Sequence, residues 1–217
     1  MKNSKLYLSE HRVIQDKFGT RALADKQEEL IVHEVFTKED AEFILTRDMF
    51  FLSTLNSRGE PTVSYKGGPV GFVKVIDNEL IFPNYDGNGM FLSVGNLLKN
   101  ENVGLLFIDF ETPRRLRVQG IAKIDEQPDL QIFPKAEFLI RINPTEIWVN
   151  CPRYIHRYKK VSQSPYTPNT NKTSRLAQWK RLDSVYESLL PDDKVAVEES
   201  GQITQDQYNL MISNNEA

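Results

Sequence analysis

Cysteine is nearly missing: Cys151 is the single one in 217 residues, so no disulfide can form within the chain. That suits a reducing compartment and rules out the stapled scaffolds of small secreted domains. No apolar run approaches the ~20 residues a membrane-spanning helix needs. The opening MKNSKLYLSEHR also lacks the apolar stretch of a signal peptide, so the expected location is cytoplasmic. The three histidines, His11, His33 and His156, have no metal-ligand spacing, and no metal site is expected. A net charge of −3 excludes nucleic-acid binding through a general positive field and leaves room only for a local basic patch. Neither the Rossmann nor the P-loop glycine spacing occurs.

What is present is ordinary for a globular chain, with 40% hydrophobic and 26% charged residues. One domain with terminal extensions is expected. Its parts are a helical lead-in over 1–47 packed on a barrel, the barrel itself over 48–156, and a loop, helix and partly flexible tail over 157–217. From about Glu10 to Thr46 the pattern is helical: Leu23, Leu30 and Ile31 fit one stripe. Thr37 caps a second segment with Ala41, Ile44 and Leu45 on one face.

From Met49 the period changes. Met49–Leu55 reads as a strand closed by the turn Asn56-Ser57-Arg58-Gly59, with Pro61–Tyr65 as its antiparallel partner. Phe72–Ile76 and Leu80–Pro83 flank Asp77-Asn78-Glu79 as a hairpin, and a helix is expected over about Asn88–Lys99. Val103–Ile108 is apolar on both faces, as a central strand is. Arg115–Ile124 alternates clearly, with Leu116, Val118, Ala122 and Ile124 on one face and Arg115, Arg117, Gln119 and Lys123 on the other. Phe138–Val149 supplies one more strand or a strand pair. Many short antiparallel strands with few helices predict a mainly-β fold, a small barrel with flanking helices. Ser162–Ser174 reads as a loop. Leu176, Trp179, Leu182, Val185 or Tyr186, and Leu189 form a helical stripe that Pro191 ends, and the acidic tail beyond Asp192 is expected to be disordered in part.

Seven of the 11 glycines lie in or beside Pro61–Asn96: Gly59, Gly67, Gly68, Gly71, Gly87, Gly89 and Gly95. Such a cluster points to tight turns or close backbone approach to a ligand. Asp86-Gly87-Asn88-Gly89 precedes the expected helix, whose free amides favour an anion. Asp-Gly and Asn-Gly are also the commonest turn dipeptides. Lys66 closes a strand beside two glycines, either as an anion ligand or as a solvated lysine. Arg115 and Arg117, on a polar strand face, meet a phosphate, a second subunit or water. Cys151 and His156 lie within Asn150–His156 without the third member a nucleophilic site needs.

Taken in order, several strings resemble the flavin-binding split-barrel family related to pyridoxamine 5′-phosphate oxidase. They are Ser64–Gly68, Phe82–Met90, Leu106–Glu111, Arg115–Val118 and Asn150–His156. The resemblance runs from about Asp48 to His156. It implies an FMN-binding split barrel, a homodimer with flavin at the subunit interface, and a small-molecule electron donor or acceptor such as NAD(P)H. In the oxidase a lysine-ended strand lines the flavin and its phosphate, which maps to Val63, Ser64, Tyr65 and Lys66. A following strand and loop map to Phe82, Pro83, Asn84, Asp86, Gly87 and Asn88. A glutamine offered across the dimer falls at Arg115, with Arg117 beside it, and the terminal segment supplies Asn150 and Arg153. The oxidase's strand-opening arginine is Pro61 here, and its basic phosphate-gripping pair is Asn88 and Gly89. FMN binding then leans on Lys66, backbone amides, and Arg115 or Arg117. The implied activity is an FMN-dependent oxidoreductase of different substrate. The alternatives are a flavin carrier or redox sensor without turnover, or a barrel holding haem or a deazaflavin. No catalytic residue is assigned; Tyr65 and His156 are the candidates for proton transfer.

Overall fold

A computed structural model describes residues 4–127, 129–168, 175–214 and 216. The chain divides into two compact units, Met1–Val161 and Ser162–Ala217. The larger unit holds one seven-stranded antiparallel sheet. Its strands are β1 (Met49–Leu55), β2 (Pro61–Gly67), β3 (Lys74–Ile76), β4 (Glu79–Asn84), β5 (Asn102–Asp109), β6 (Arg114–Asp125) and β7 (Phe138–Asn150). In the sheet they run β2-β1-β5-β6-β7-β4-β3. The mainly-β expectation holds.

The sheet is curled. β1 and β4 are four steps apart in the strand order, about 19 Å if the sheet were flat, at ~4.8 Å per step. Yet the rings of Phe50 on β1 and Phe82 on β4 meet edge-on with centroids 5.0 Å apart. Phe50 also stacks on Phe72 and Phe107, and all four rings are nearly inaccessible. This aromatic cluster, with Leu52, Leu105, Leu116, Val118, Ile140 and Ile142, fills the inside of the barrel. The edges β2 and β3 stay unjoined: among the described residues each pairs with a single neighbouring strand. The inner face is apolar; the outer face of β1, β5 and β6 is not buried, and the alternation on β5 and β6 is regular.

Local sequence explains the turns. Asp77 and Asn78 join β3 to β4 with φ of 50° and 64°, the left-handed pair that a two-residue hairpin needs and Asn and Asp tolerate. β6 and β7 shift register at Gln119/Gly120, where a β-carbon on Gly120 would stand 2.5 Å from the Asn143 carbonyl oxygen. Glycine lets the two backbones close up there.

Three helices precede the sheet: α1 (Ser9–Lys17), α2 (Arg21–Ile31) and α3 (Lys38–Leu45). Thr37 caps α3 as expected, accepting from the Asp40 amide while the Asp40 carboxylate accepts from the Thr37 amide. α3 buries Phe43 and Ile44, whereas α1 and α2 bury no residue and leave Leu23 and Leu30 exposed. The lead-in is tied to β7 by a bridge between His33 and Ile147.

The helix after β4 corrects the sequence reading. α4 spans Leu92–Leu97, beginning four residues later than expected, behind Phe91 in a left-handed conformation. Gly89 and Phe91 both have positive φ, 71° and 46°, so the chain cannot be right-handed helix before Leu92. β3 likewise begins at Lys74, with Phe72 and Val73 buried ahead of it.

The smaller unit departs further. No α-helix follows the stripe from Leu176 to Leu189; two single 3₁₀ turns, Gln178–Arg181 and Tyr186–Ser188, take its place. Spacings of three suit a 3₁₀ turn as well as an α-helix. Pro191 starts a helix instead of only ending one: α5 runs Pro191–Ser200, with Asp192 and Asp193 in its first turn. α6 (Gln205–Ser213) follows behind a Thr204–Gln207 capping box, so two stretches of the tail beyond Asp192 are helical; 215 and 217 lie outside the described residues. The expected loop lacks helix and strand over 162–168; its remainder, 169–174, lies outside the described residues. No helix among the described residues is long and apolar enough to cross a membrane.

Candidate functional site

β2 is an edge strand whose two faces carry different chemistry. Thr62, Ser64 and Lys66 stand opposite Thr54, Leu52 and Phe50 of β1 and so face inward. α4 meets this row through polar contacts: Asn96 Nδ2 donates to Thr54 Oγ1 at 2.9 Å and to Thr62 Oγ1 at 3.2 Å. Ser64 Oγ lies 3.1 Å from Ser93 Oγ. Lys66 ends the row half-buried, and no hydrogen bond or ion pair reaches its ammonium among the described residues. Burial alone holds its pKa below the ordinary lysine value.

The outer face carries the second set. Val63 and Tyr65 project from it, 70% and 63% exposed. Cross-strand pairing connects Tyr65, Phe51, Leu106, Arg117 and Trp148 into one row across four strand pairs. The Tyr65 ring touches Phe51 edge-on and lies over Gly67, where a β-carbon would come within 2.6 Å of it. Burial, then the charge of Asp48, raises the Tyr65 phenol above its ordinary pKa. The Arg117 guanidinium sits 6.0 Å from the Trp148 ring. Arg115 and Asn150 are direct cross-strand partners on β6 and β7. Arg115 Nε is buried and has no hydrogen-bond partner, an unmet donor of the kind that folded interiors rarely leave.

The remaining expected residues scatter. Phe82 and Pro83 are buried, with Phe82 in the aromatic core, so neither side chain reaches a ligand surface. Asn84 Nδ2 donates to Glu137. Asp86, Gly87 and Asn88 lie exposed in the loop before α4. With α4 only six residues long, that loop gains little from a helix dipole. Arg153 is exposed beyond β7, its guanidinium 6.0 Å from the Tyr154 ring. Thr54, Thr62, Ser93 and Asn96 escaped the sequence reading, although polar residues at Thr62, Ser64 and Lys66 share the period of one strand face. Burial pushes the Tyr85 phenol up to about 12.

Residues 36–151 match the family described as pyridoxamine 5′-phosphate oxidase, more than half of the chain. The chain belongs to that family. Its curled, unjoined sheet is the family's split barrel. Solved structures similar to this chain include one described as a pyridoxamine 5′-phosphate oxidase from Lactobacillus delbrueckii, 22% identical, covering 54% of this chain and 95% of that one at a TM-score of 0.42. Another is HutZ, described as a haem storage protein, from Vibrio cholerae, 18% identical over 53% of this chain and 94% of that one at 0.40. A third is an FAD-binding protein from Mycobacterium smegmatis, 15% identical over 54% of this chain and 97% of that one at 0.37. No curated protein matches the chain.

Proposed function

We propose that this member of the family is an FMN-dependent oxidoreductase acting as a homodimer, with flavin held in the seam between two barrels. One observation carries the reading: the two cations with unmet needs, Lys66 and Arg115, face opposite sides of one sheet. A single copy cannot turn both toward one anion. Two copies packed through the outer faces of β1, β5 and β6 bring the Arg115 of one toward the β2 edge of the other. The half-exposed row through Phe51 and Leu106 supplies the apolar part of that contact.

The residues present fit a flavin monophosphate. Lys66 would hold its phosphate and Arg115 would complete the charge. The Val63–Tyr65 backbone at a sheet edge offers unpaired amides and carbonyls to a planar heterocycle. FMN supplies the hydride and electron chemistry when bound. The protein orients it, keeps one face dry through Tyr65 and Phe51, and offers the raised Tyr65 phenol as a group that stays protonated at neutral pH. The donor is a reduced pyridine nucleotide.

The experiment begins with protein purified without added cofactor, whose bound chromophore is identified by visible spectrum and mass. Flavin and NAD(P)H oxidation together support the enzyme. Flavin that no donor reduces would leave a carrier or sensor, and a Soret band or a deazaflavin spectrum would replace FMN altogether.

A further inference from the structure

Beyond Asn150, where β7 ends, the chain runs to Val161 as an extended strap with no helix or strand. The strap holds Arg153, Arg157, Lys159 and Lys160, with His156 among them and no acidic residue, in a chain of net charge −3. It is fixed in place. The Tyr158 amide donates to the Phe110 carbonyl at 3.1 Å, the Lys160 amide to the Glu111 carboxylate at 3.2 Å, and Arg157 Nε to the Glu111 carbonyl at 3.2 Å. The Tyr158 ring meets Phe110 edge-on at 5.5 Å. These contacts pin the strap to the turn between β5 and β6.

Asp48 neutralises Lys160. Arg153 and Lys159 meet no carboxylate among the described residues. Tyr154 is 87% exposed, and its φ of 69° belongs to the third position of a turn closed by the Ile155 amide donating to the Pro152 carbonyl at 3.1 Å. The strap thus presents an exposed aromatic face and two unneutralised cations. Such a face recognises a base by stacking and a phosphate by charge. One exposed ring and a few cations suit a single nucleotide better than a polymer track.

The strap ends beside the end of β2: Lys160 pairs with Asp48, whose carbonyl accepts from the Gly68 amide at 3.0 Å. The strap therefore leads from Tyr154 at the end of β7 toward the edge of the sheet that carries Tyr65. We propose that the strap from Arg153 to Lys160 binds the ADP half of the pyridine dinucleotide donor, with Tyr154 stacking the adenine and Lys159 meeting the pyrophosphate. This rests on the flavoprotein reading for the identity of the donor.

ADP titrated calorimetrically into the purified protein, with and without FMN, tests it. Tyr154→Ala and Lys159→Ala, both exposed positions, should each weaken ADP binding about tenfold or more and leave the FMN dissociation constant unchanged. ADP that does not bind, or that binds both variants as well as the parent, overturns the assignment. So does a single-stranded oligonucleotide that binds more tightly than ADP with steep salt dependence, which would make the strap a polymer site. ADP binding lost in the variants supports the strap even if no FMN is taken up, an outcome that fails the flavoprotein reading alone.

Discussion

Replacing Lys66 with Met should move stability and ligand affinity in opposite directions, which separates a site residue from a scaffold residue. The Lys66 ammonium is half-buried on the inner face of β2 without a partner, and burial lowers its pKa from the usual 10.5. A folded pKa below the unfolded one means that the unfolded chain binds the extra proton. The cost of burying the charge is then full below the folded pKa and is relieved as pH rises through the window up to 10.5. Apoprotein stability should climb with pH across that window, and Lys66→Met, which keeps the aliphatic stem, should abolish this slope. Its Tm at neutral pH should stay level or rise. Binding of FMN should fall, because a hydrogen bond to a charged phosphate is worth about 1.5–3 kcal/mol net. At ~1.4 kcal/mol per tenfold, the dissociation constant rises by about 10- to 150-fold. Titration followed by flavin fluorescence reads the affinity, and riboflavin, which lacks the phosphate, should show no comparable change. An FMN affinity equal to that of the parent would place the phosphate elsewhere. A Tm loss of more than about 4 °C, roughly 1 kcal/mol or more for a chain of this size, would make Lys66 a structural residue.

Gly120→Ala should cost about 1–3 kcal/mol, because its β-carbon would press on the Asn143 carbonyl 2.5 Å away, in backbone that the β6–β7 register holds. Chemical denaturation reads it, and an unchanged midpoint would mean the bulge opens freely. Leu106→Lys places a charge in the middle of the half-exposed outer row and should give a folded monomer by sedimentation velocity; a persistent dimer would show that the copies meet through another face. Arg115→Ala should weaken FMN binding about as much as Lys66→Met does if its unmet Nε serves the phosphate. If Arg115 serves only the subunit contact, the loss appears in the dimer–monomer equilibrium with FMN affinity at saturating protein unchanged.

Strands were legible where one face is buried and the period of two survives, as in β6 with Leu116, Val118 and Ala122 inside. Val103–Ile108 looked apolar on both faces and is indeed central, but its outer residues Leu106 and Ile108 are only half-buried in one copy. Sequence cannot say whether such residues meet core or partner. The inner-face position of Lys66 was hidden because its row is polar, and the unmet Arg115 Nε is a property of packing that no pattern of residue types encodes. The start of α4 was misplaced because Gly89 and Phe91 adopt left-handed backbone, and a positive φ at a phenylalanine is not legible in residue types. The 3₁₀ turns near Trp179 failed for a related reason: a stripe spaced by threes is shared by two kinds of helix, and the choice falls to longer-range contacts such as the bridge between Leu182 and Ile203. Pro191 carries the same ambiguity, since proline both ends one helix and opens the next.

The departures from the family's pattern bear on what the site can do. Where the oxidase uses a basic pair before its helix, this chain has Asn88 and Gly89, and the short α4 cannot replace them with a dipole. Positive charge has moved to the far face of the sheet, at Arg115 and Arg117, and to the strap beyond β7. A phosphate bound in this arrangement would depend on both copies at once, so that flavin affinity and subunit affinity become linked. By mass action, a ligand that binds the dimer and not the monomer stabilises the dimer by the same factor by which dimerisation improves its own binding. If the proposed dimer holds the flavin in this way, cofactor retention would depend on protein concentration, a coupling that a site built within one barrel would not have.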